Sequence, residues 1–310
     1  MKSTLSALSL ILLLGACGPL ADARSARIEA RNPPQGQMLT VGSATIHAEV
    51  SGHGPDLVLI HGASGSTGDM ADLARRLSDR YRVIRFDRPG LGYSSDLGRA
   101  GNSPLVQADY LIAASRQLGV TDPIVLGHSY GGAVAMAWAL RDPGHTRAVV
   151  LLAGAVLPWE GGLDGLSRFA STPVGEATVE PMVAAFMPDW GLKRIVKNLF
   201  EPNTPPPGYA ADTGAELALR LPELRANLRQ LNALKDHLWI MAPNYYKLHM
   251  PIEIVHGLDD DVVDYTVESL QMTALPNVRL TAAPGVGHMV HHVIPDEVVA
   301  AIDRAAARAD

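Results

Sequence analysis

Cysteine is almost absent from this chain: Cys17 is the only one among 310 residues. A lone thiol has no intramolecular disulfide partner, so no disulfide framework can hold the fold together. Blocks of like charge are missing as well, and 26 basic against 32 acidic side chains give a formal net charge of −6. Without a positive stripe to meet phosphates, nucleic acid is not an expected partner. Long apolar runs are also lacking. The run from Leu5 to Leu14 has about ten residues, too short to span a bilayer as a mature helix. No internal repeat divides the chain. Apolar side chains, by contrast, make up 47% of it. The length suits one globular domain with an insertion, burying about three-quarters of its unfolded surface.

The stretch richest in chemistry is Val125-Leu126-Gly127-His128-Ser129-Tyr130-Gly131-Gly132. An apolar run ends in Gly-His-Ser-Tyr-Gly, and the small-residue helix pattern Ala133 to Ala137 follows at once. The spacing predicts the strand, sharp turn and helix of a nucleophile elbow. Gly127 and Gly131 lack the Cβ atoms that would collide across so tight a bend. The Ser129 hydroxyl is thereby pushed above the end of a sheet, at a helix N-terminus that favours developing negative charge. A glycine-rich loop whose serine merely caps a helix has the same composition, so the partners decide between the two readings.

A serine nucleophile needs a base, and the base needs an orienting acid. Ile252 to Gly257 reads as a buried strand that opens into Leu258-Asp259-Asp260-Asp261-Val262-Val263. Val278 to Thr281 reads as a second strand, running into Pro284-Gly285-Val286-Gly287-His288-Met289. The order is Ser, Asp, His, each in a loop after a strand.

Together with Leu57 to Gly65 and Ile84 to Ser94, these motifs make residues 38 to 308 resemble a lidded member of the α/β-hydrolase superfamily. The resemblance implies an α/β fold: a mostly parallel central sheet flanked by helices, with a helical lid inserted after the sixth strand. The chain pattern agrees. Strands are expected at Met38 to Val41, Ala44 to Val50, Asp56 to His61, Arg82 to Phe86, Pro123 to Leu126 and Arg147 to Leu152. Helices are expected at Asp69 to Asp79 and Leu105 to Leu118. From about Leu157 no strand-like run appears until Ile252. Helical segments around Val174 to Met187, Leu192 to Leu199 and Ala215 to Trp239 fill the interval.

The N-terminus reads as a separate unit. Lys2, the apolar run and Leu14-Gly15-Ala16-Cys17 have the layout of an export signal. The last four residues resemble the bacterial lipoprotein cleavage box, in which Cys17 becomes the lipidated first residue. That resemblance implies export and lipid anchoring to a bacterial membrane, and Gly18 points to the outer membrane, facing the periplasm. The expected organisation is a signal peptide over 1–16, a polar tether over 17–37, core over 38–156, lid over 157–245 and core over 246–310.

Ser129 is the expected nucleophile and His288 the expected base. The superfamily pattern resembles Gly-x-x-Asp-x-Val-Val, which, counted from Gly257, selects Asp260 as the acid, with Asp259 next among the three consecutive carboxylates. The loop Leu152 to Val156, where some relatives carry the acid, has no carboxylate. The backbone N–H groups of Tyr130 and Ala63 are the expected oxyanion donors. Ser64 and the Tyr130 hydroxyl fit a pocket or a structural role equally well. His61 and His128 are expected as packed supports, and Asp87 and Arg88 as a loop clasp bonded to each other. His288, His291 and His292 have a spacing that a helix could offer to zinc, but no acidic residue at a suitable spacing completes it. No metal and no cofactor are expected.

Serine at the elbow argues against the epoxide hydrolase and haloalkane dehalogenase branches, whose nucleophile is a carboxylate. The expected activity is hydrolysis of an apolar carboxylic ester or lactone through an acyl-enzyme. A cofactor-free C–C hydrolase and a haloperoxidase-like or perhydrolase-like enzyme use the same triad and stand as alternatives. A binding lipoprotein with a vestigial site is a remote alternative, opposed by the intact Ser, Asp and His set. The expected partners are a small apolar acyl substrate and, through the N-terminal lipid, a membrane. Some of the lid residues Trp159, Phe186, Trp190, Phe200, Trp239, Tyr245 and Tyr246 are expected to line an acyl pocket, the rest packing the lid itself.

Overall fold

The computed structural model describes residues 2–162 and 165–310, with side chains from residue 17 onward. Eight strands form one sheet: β1 (Gln37–Val41), β2 (Ala44–Ser51), β3 (Asp56–Ile60), β4 (Arg82–Phe86), β5 (Ile124–His128), β6 (Ala148–Leu152), β7 (Ile252–Gly257) and β8 (Val278–Ala283). Their spatial order is β1-β2-β4-β3-β5-β6-β7-β8. The pairings β1 with β2 and β2 with β4 are antiparallel, and all the others are parallel.

The parallel strands are apolar at nearly every position because both faces are covered. Successive side chains leave a strand on opposite faces, and the core splits accordingly. Val58, Ile60, Ile84, Phe86, Val125, Val149 and Leu151 join one buried cluster with α3 (Pro104–Gln117) and α4 (Tyr130–Arg141). Leu57, Leu59, Val83, Ile124, Leu126, Val150 and Leu152 join the other, with α2 (Ala71–Leu77) and α12 (Pro295–Ala309).

Between β6 and β7 the described residues are helical or irregular. They hold α5 (Gly165–Ala170), α6 (Pro173–Phe186), α7 (Asp189–Phe200), α8 (Tyr209–Asp212) and α9 (Leu221–Met241). The single helix expected from Ala215 to Trp239 is divided. A short 3₁₀ turn over Ala215–Leu219 precedes α9, which starts with Pro222 in its first turn, where the missing N–H costs nothing. Two short helices, α10 (Tyr265–Glu268) and α11 (Val290–Val293), follow β7 and β8.

The N-terminal segment departs from the expected tether. Helix α1 (Lys2–Arg31) is continuous and docks on the lid. Ala21 packs with Ala184 and Leu221, and Ile28, two turns later, packs with Leu217 and Leu219. Charged residues of the same stretch find partners: Arg24 donates to the Ala184 carbonyl at 3.2 Å, Glu29 accepts from Arg220 at 2.9 Å, and Arg31 pairs with Glu216 at 2.6 Å. Side chains of the expected signal peptide, 1–16, lie outside the described residues, as do Leu163 and Asp164 of the expected lid. Among the described residues no helix is long and apolar enough to cross a membrane.

The elbow depends on Gly127. A Cβ there would lie 2.0 Å from the Gly131 carbonyl oxygen and 2.7 Å from the Gly132 nitrogen, both backbone atoms. Gly127→Ala should therefore destabilise by about 3 kcal/mol or more. Gly144→Ala, where nothing lies within 4 Å of the added carbon, should stay within about 0.5 kcal/mol. Thermal unfolding checks this. A drop of roughly 6–12 °C is expected for the first variant only, and equal midpoints would contradict the steric argument.

Candidate active site

Ser129 sits between β5 and α4 with φ 52° and ψ −121°. This is left-handed backbone at a residue with a side chain, a conformation that persists only where its surroundings enforce it. The enforcement is visible. The Ser129 N–H donates to the Leu152 carbonyl at 2.9 Å, and its own carbonyl accepts from Gly132 at 2.9 Å and Ala155 at 3.1 Å. Two other non-glycine residues with positive φ, Ser64 and Ala153, follow β3 and β6. The three therefore cluster at the C-terminal ends of three adjacent parallel strands.

Asp260 and His288 are brought together from the loops after β7 and β8. Asp260 Oδ2 lies 2.8 Å from His288 Nδ1. A carboxylate only accepts, so Nδ1 carries the proton and Nε2 keeps its lone pair. Asp260 Oδ1 accepts from the N–H groups of Val262 at 2.8 Å and Val263 at 2.9 Å. A fourth partner was not foreseen: His256 Nε2 lies 3.1 Å from Oδ2 and 3.0 Å from the Val263 carbonyl. Burial alone would raise the Asp260 pKa. The bonds from His256 and His288, the His288 charge and the Val263 N–H outweigh burial and hold the carboxyl well below the ordinary range. The neighbouring carboxylates behave differently. Asp259 is exposed and accepts from the Gly285 N–H at 2.7 Å, and Asp261 is exposed.

Ala63 and Tyr130 flank the serine. Tyr130 is the first residue of α4, and the first N–H groups of a helix have no partner inside it. Gly62 brings the other backbone close: a Cβ on it would lie 3.1 Å from Ser129 Cβ and 3.0 Å from His128 Nδ1. Arg88 fixes this loop. Its buried guanidinium donates to the carbonyls of His61 and Gly62, both at 3.0 Å, and to Gln107 at 3.0 Å and Gln230 at 2.8 Å. It also lies 4.2 Å from the Tyr130 ring centroid. The Gly62 carbonyl shares its peptide plane with the Ala63 N–H. Arg88 therefore orients that N–H and, by polarising the amide, strengthens it as a donor.

Arg88 and Asp87 do not bond each other, contrary to the expected clasp. Asp87 accepts from Thr67 N–H at 2.6 Å and Tyr93 N–H at 2.8 Å and pairs with His47 at 2.6 Å. The sequence neighbours diverge because an extended chain sends alternate side chains to opposite sides. His61 is a buried support: Nε2 accepts from Arg88 N–H at 3.0 Å and Nδ1 donates to the Gly62 carbonyl at 2.9 Å. Burial, with Arg88 beside it, lowers its pKa to about 4. The Tyr130 hydroxyl is buried against the Asn102 carbonyl and Gln107. Ser64 is tied to the lid by Asn227, which bonds its N–H at 2.8 Å and its hydroxyl at 2.9 Å. Among the lid aromatics, Phe200 and Tyr245 are buried, Trp159 packs half-buried on the core, and Phe186, Trp190, Trp239 and Tyr246 are exposed.

A second ionisable cluster lies beside the first. His128, Asp69, His291 and His292 come from the elbow, a 3₁₀ turn over Thr67–Met70 and α11. The His128 ring is 4.8 Å from that of His288 and 4.5 Å from that of His291. Burial, then the neighbouring histidines, depress the pKa of His128 strongly and of His291 as well, against the opposing pull of Asp69.

Comparison with known proteins agrees with this architecture. The model of the Alpha/beta hydrolase family matches residues 57–301. A pimeloyl-[acyl-carrier protein] methyl ester esterase of Nitrosomonas europaea is 26% identical, over 84% of this chain and 99% of the relative. The esterase RhEst1 from Rhodococcus sp. ECU1013 superposes with TM-score 0.66 at 22% identity, covering 89% of this chain and 99% of that one. A membrane phospholipase A described as a bacterial virulence factor superposes with TM-score 0.65 at 21% identity, over 98% of this chain and 99% of that one. The chain belongs to the Alpha/beta hydrolase family and is a hydrolase.

Proposed function

We propose that the protein is a serine esterase that cleaves an apolar carboxylic ester through an acyl-enzyme on Ser129, His288 and Asp260. The observation that carries this reading is the 2.8 Å Asp260–His288 pair, set beside a serine held in left-handed backbone at a helix N-terminus. His288 Nε2 removes the Ser129 hydroxyl proton as Oγ attacks the ester carbonyl. The tetrahedral oxyanion is held by the N–H groups of Ala63 and Tyr130, each worth about 3 kcal/mol in the transition state. The proton then passes from Nε2 to the leaving alkoxide, which departs as the alcohol and leaves Ser129 acylated. Water, deprotonated by the same Nε2, attacks the acyl group. The carboxylic acid leaves and the Ser129 hydroxyl regains its proton. Asp260 keeps Nδ1 protonated throughout and balances the imidazolium.

The apolar preference rests on Ala63, Leu157 and Trp159, half-buried apolar side chains packed on the core cluster that contains Tyr130. A methyl ester esterase among the relatives points to the same bond class. Hydrolysis of a short-chain chromogenic ester tests the reading, with loss of activity after serine-directed phosphonylation. Turnover that survives complete phosphonylation would contradict it. Lactones, C–C diketones and peroxide-dependent halogenation, run on the same preparation, separate the ester reading from the others that share the triad.

We also infer that Cys17 anchors the mature chain to a bacterial membrane, the outer one facing the periplasm, through acyl chains. Leu5 to Leu14 is too short to serve as the anchor, whereas each buried CH₂ of a lipid contributes about 0.8 kcal/mol. Cys17→Ser should move the protein from the membrane to the soluble fraction or leave an unprocessed precursor. Fractionation with mass spectrometry of the mature N-terminus checks this. A wild-type chain found only in the soluble fraction would sink the anchor.

A further inference from the structure

We propose that Asp69, His128 and His291 form a zinc-binding site beneath the nucleophile elbow. Their ligand atoms lie within 4.8 Å of one another and all three residues are buried. The set supplies the carboxylate that the spacing of the C-terminal histidines lacked, from a turn on the far side of the sequence. Two imidazoles and a carboxylate are a donor set suited to zinc, and three protein ligands leave a fourth position. Bonds of about 2.0–2.1 Å in a tetrahedron place ligand atoms about 3.4 Å apart. The widest pair must then close by at most about 1.4 Å, shared between two side chains.

The hydrogen-bond pattern around the three residues leaves free the atoms a metal needs. His128 Nε2 faces the His288 carbonyl at 3.2 Å. A carbonyl only accepts, so Nε2 bears the proton and Nδ1 carries a lone pair. That Nδ1 is buried without a hydrogen-bond partner and lies 4.0 Å from Asp69 Oδ2. Both ring nitrogens of His291 are likewise buried without a partner of hydrogen-bond geometry, and Nε2 lies 3.4 Å from Asp69 Oδ2. Unpaired buried polar atoms are costly in a folded protein, and two of them, His128 Nδ1 and His291 Nε2, face one carboxylate oxygen here.

Asp69 is divided between two duties. Its Oδ1 is taken by the Tyr209 hydroxyl at 2.8 Å and by His292 Nε2 at 3.1 Å. Its Oδ2 faces His128 Nδ1 and His291 Nε2. Hydrogen-bond donors placed like this fix a ligating carboxylate in position. The Tyr209 and His292 rings brace each other edge-on at 5.0 Å, and Phe200 closes behind Tyr209 at 4.9 Å. The ion would sit against the residue that precedes Ser129. Through the His128 Nε2–H bond it would steady the backbone of His288.

The test uses the full chain, purified without a histidine tag and stripped with a chelator. Zinc is titrated in competition with a chromogenic chelator, and cobalt(II) is titrated with visible absorption as the readout. The expected result is one equivalent of zinc, a four-coordinate cobalt spectrum, and an unfolding temperature raised by zinc but not by magnesium. His291→Gln should weaken zinc binding by at least about 100-fold. His145→Gln, at an exposed histidine, should bind as wild type. The wild-type titration stands even if His291→Gln fails to fold. No stoichiometric uptake by the wild type, or equal uptake by a folded His291→Gln variant, would overturn the proposal.

Discussion

Ser129→Ala should fold as the wild type does and lose at least about 10⁴-fold in turnover. The loss corresponds to about 5.5 kcal/mol of transition-state stabilisation. The backbone at position 129 is held by bonds from its N–H and carbonyl, so removing Oγ leaves the elbow and its glycines in place. What disappears is the atom that the proposed mechanism acylates. Residual hydrolysis should remain above the uncatalysed rate, because the Ala63 and Tyr130 N–H groups proposed as oxyanion donors survive the substitution. The measurement is kcat on the best chromogenic ester, paired with thermal unfolding to establish that the variant is folded. Near-wild-type turnover in a folded variant would remove Ser129 from the chemistry.

Asp260→Asn should cost about 10⁴ in kcat, the penalty seen where an orienting aspartate is amidated in a serine protease. An amide can donate toward Nδ1, which favours the tautomer with Nε2 protonated and no lone pair for the serine proton. His256 makes the outcome sharper. Its Nε2 bonds Oδ2 as His288 does, so an amide nitrogen there would face two donors. Asp259→Asn and Asp261→Asn, at exposed side chains, should each change kcat by less than about twofold. Comparable losses at all three positions would move the orienting acid elsewhere. The pH response follows from the same geometry. The folded carboxyl lies below its unfolded value, so its contribution to stability is complete above the unfolded pKa of about 3.9 and is lost as pH falls through the lower folded value. Asp260→Asn should flatten that acid limb in denaturation curves.

Local pattern made the sheet and much of the candidate site legible. The β4 and β7 strands, Arg82–Phe86 and Ile252–Gly257, have the bounds their apolar runs predict, and the remaining strands agree to within two residues at either end, the larger differences being the continuation of β8 to Ala283 and of β5 to His128. The second of these arises because Gly127 reads as punctuation although its backbone still pairs with β3 and β6. The resemblance to Gly-x-x-Asp-x-Val-Val, counted from Gly257, singles out Asp260, and that carboxylate rather than Asp259 or Asp261 is the one turned toward His288. What escaped was non-local. Asp69 and His292 are 223 positions apart, and no periodicity joins a 3₁₀ turn to α11. The partners of Arg88 come from the loop after β3, from α3 and from α9, which only the folded chain assembles. Helix α1 was hidden by composition. Its two fully buried residues after Cys17, Ala21 and Ile28, are scattered among charges that a free tether would also carry, and their partners lie on the lid.

The central claim is that Ser129 becomes covalently acylated. It is tested most directly by treating the native full chain with a fluorophosphonate and locating the adduct by peptide mass spectrometry. The proposed mechanism predicts one adduct per chain, on Ser129, blocked by prior incubation with an ester substrate and absent from Ser129→Ala. It also predicts much slower labelling in Asp260→Asn, because the base that activates Oγ is then in the wrong tautomer. No adduct on the folded wild-type chain, or one on another residue that survives in Ser129→Ala, would contradict it.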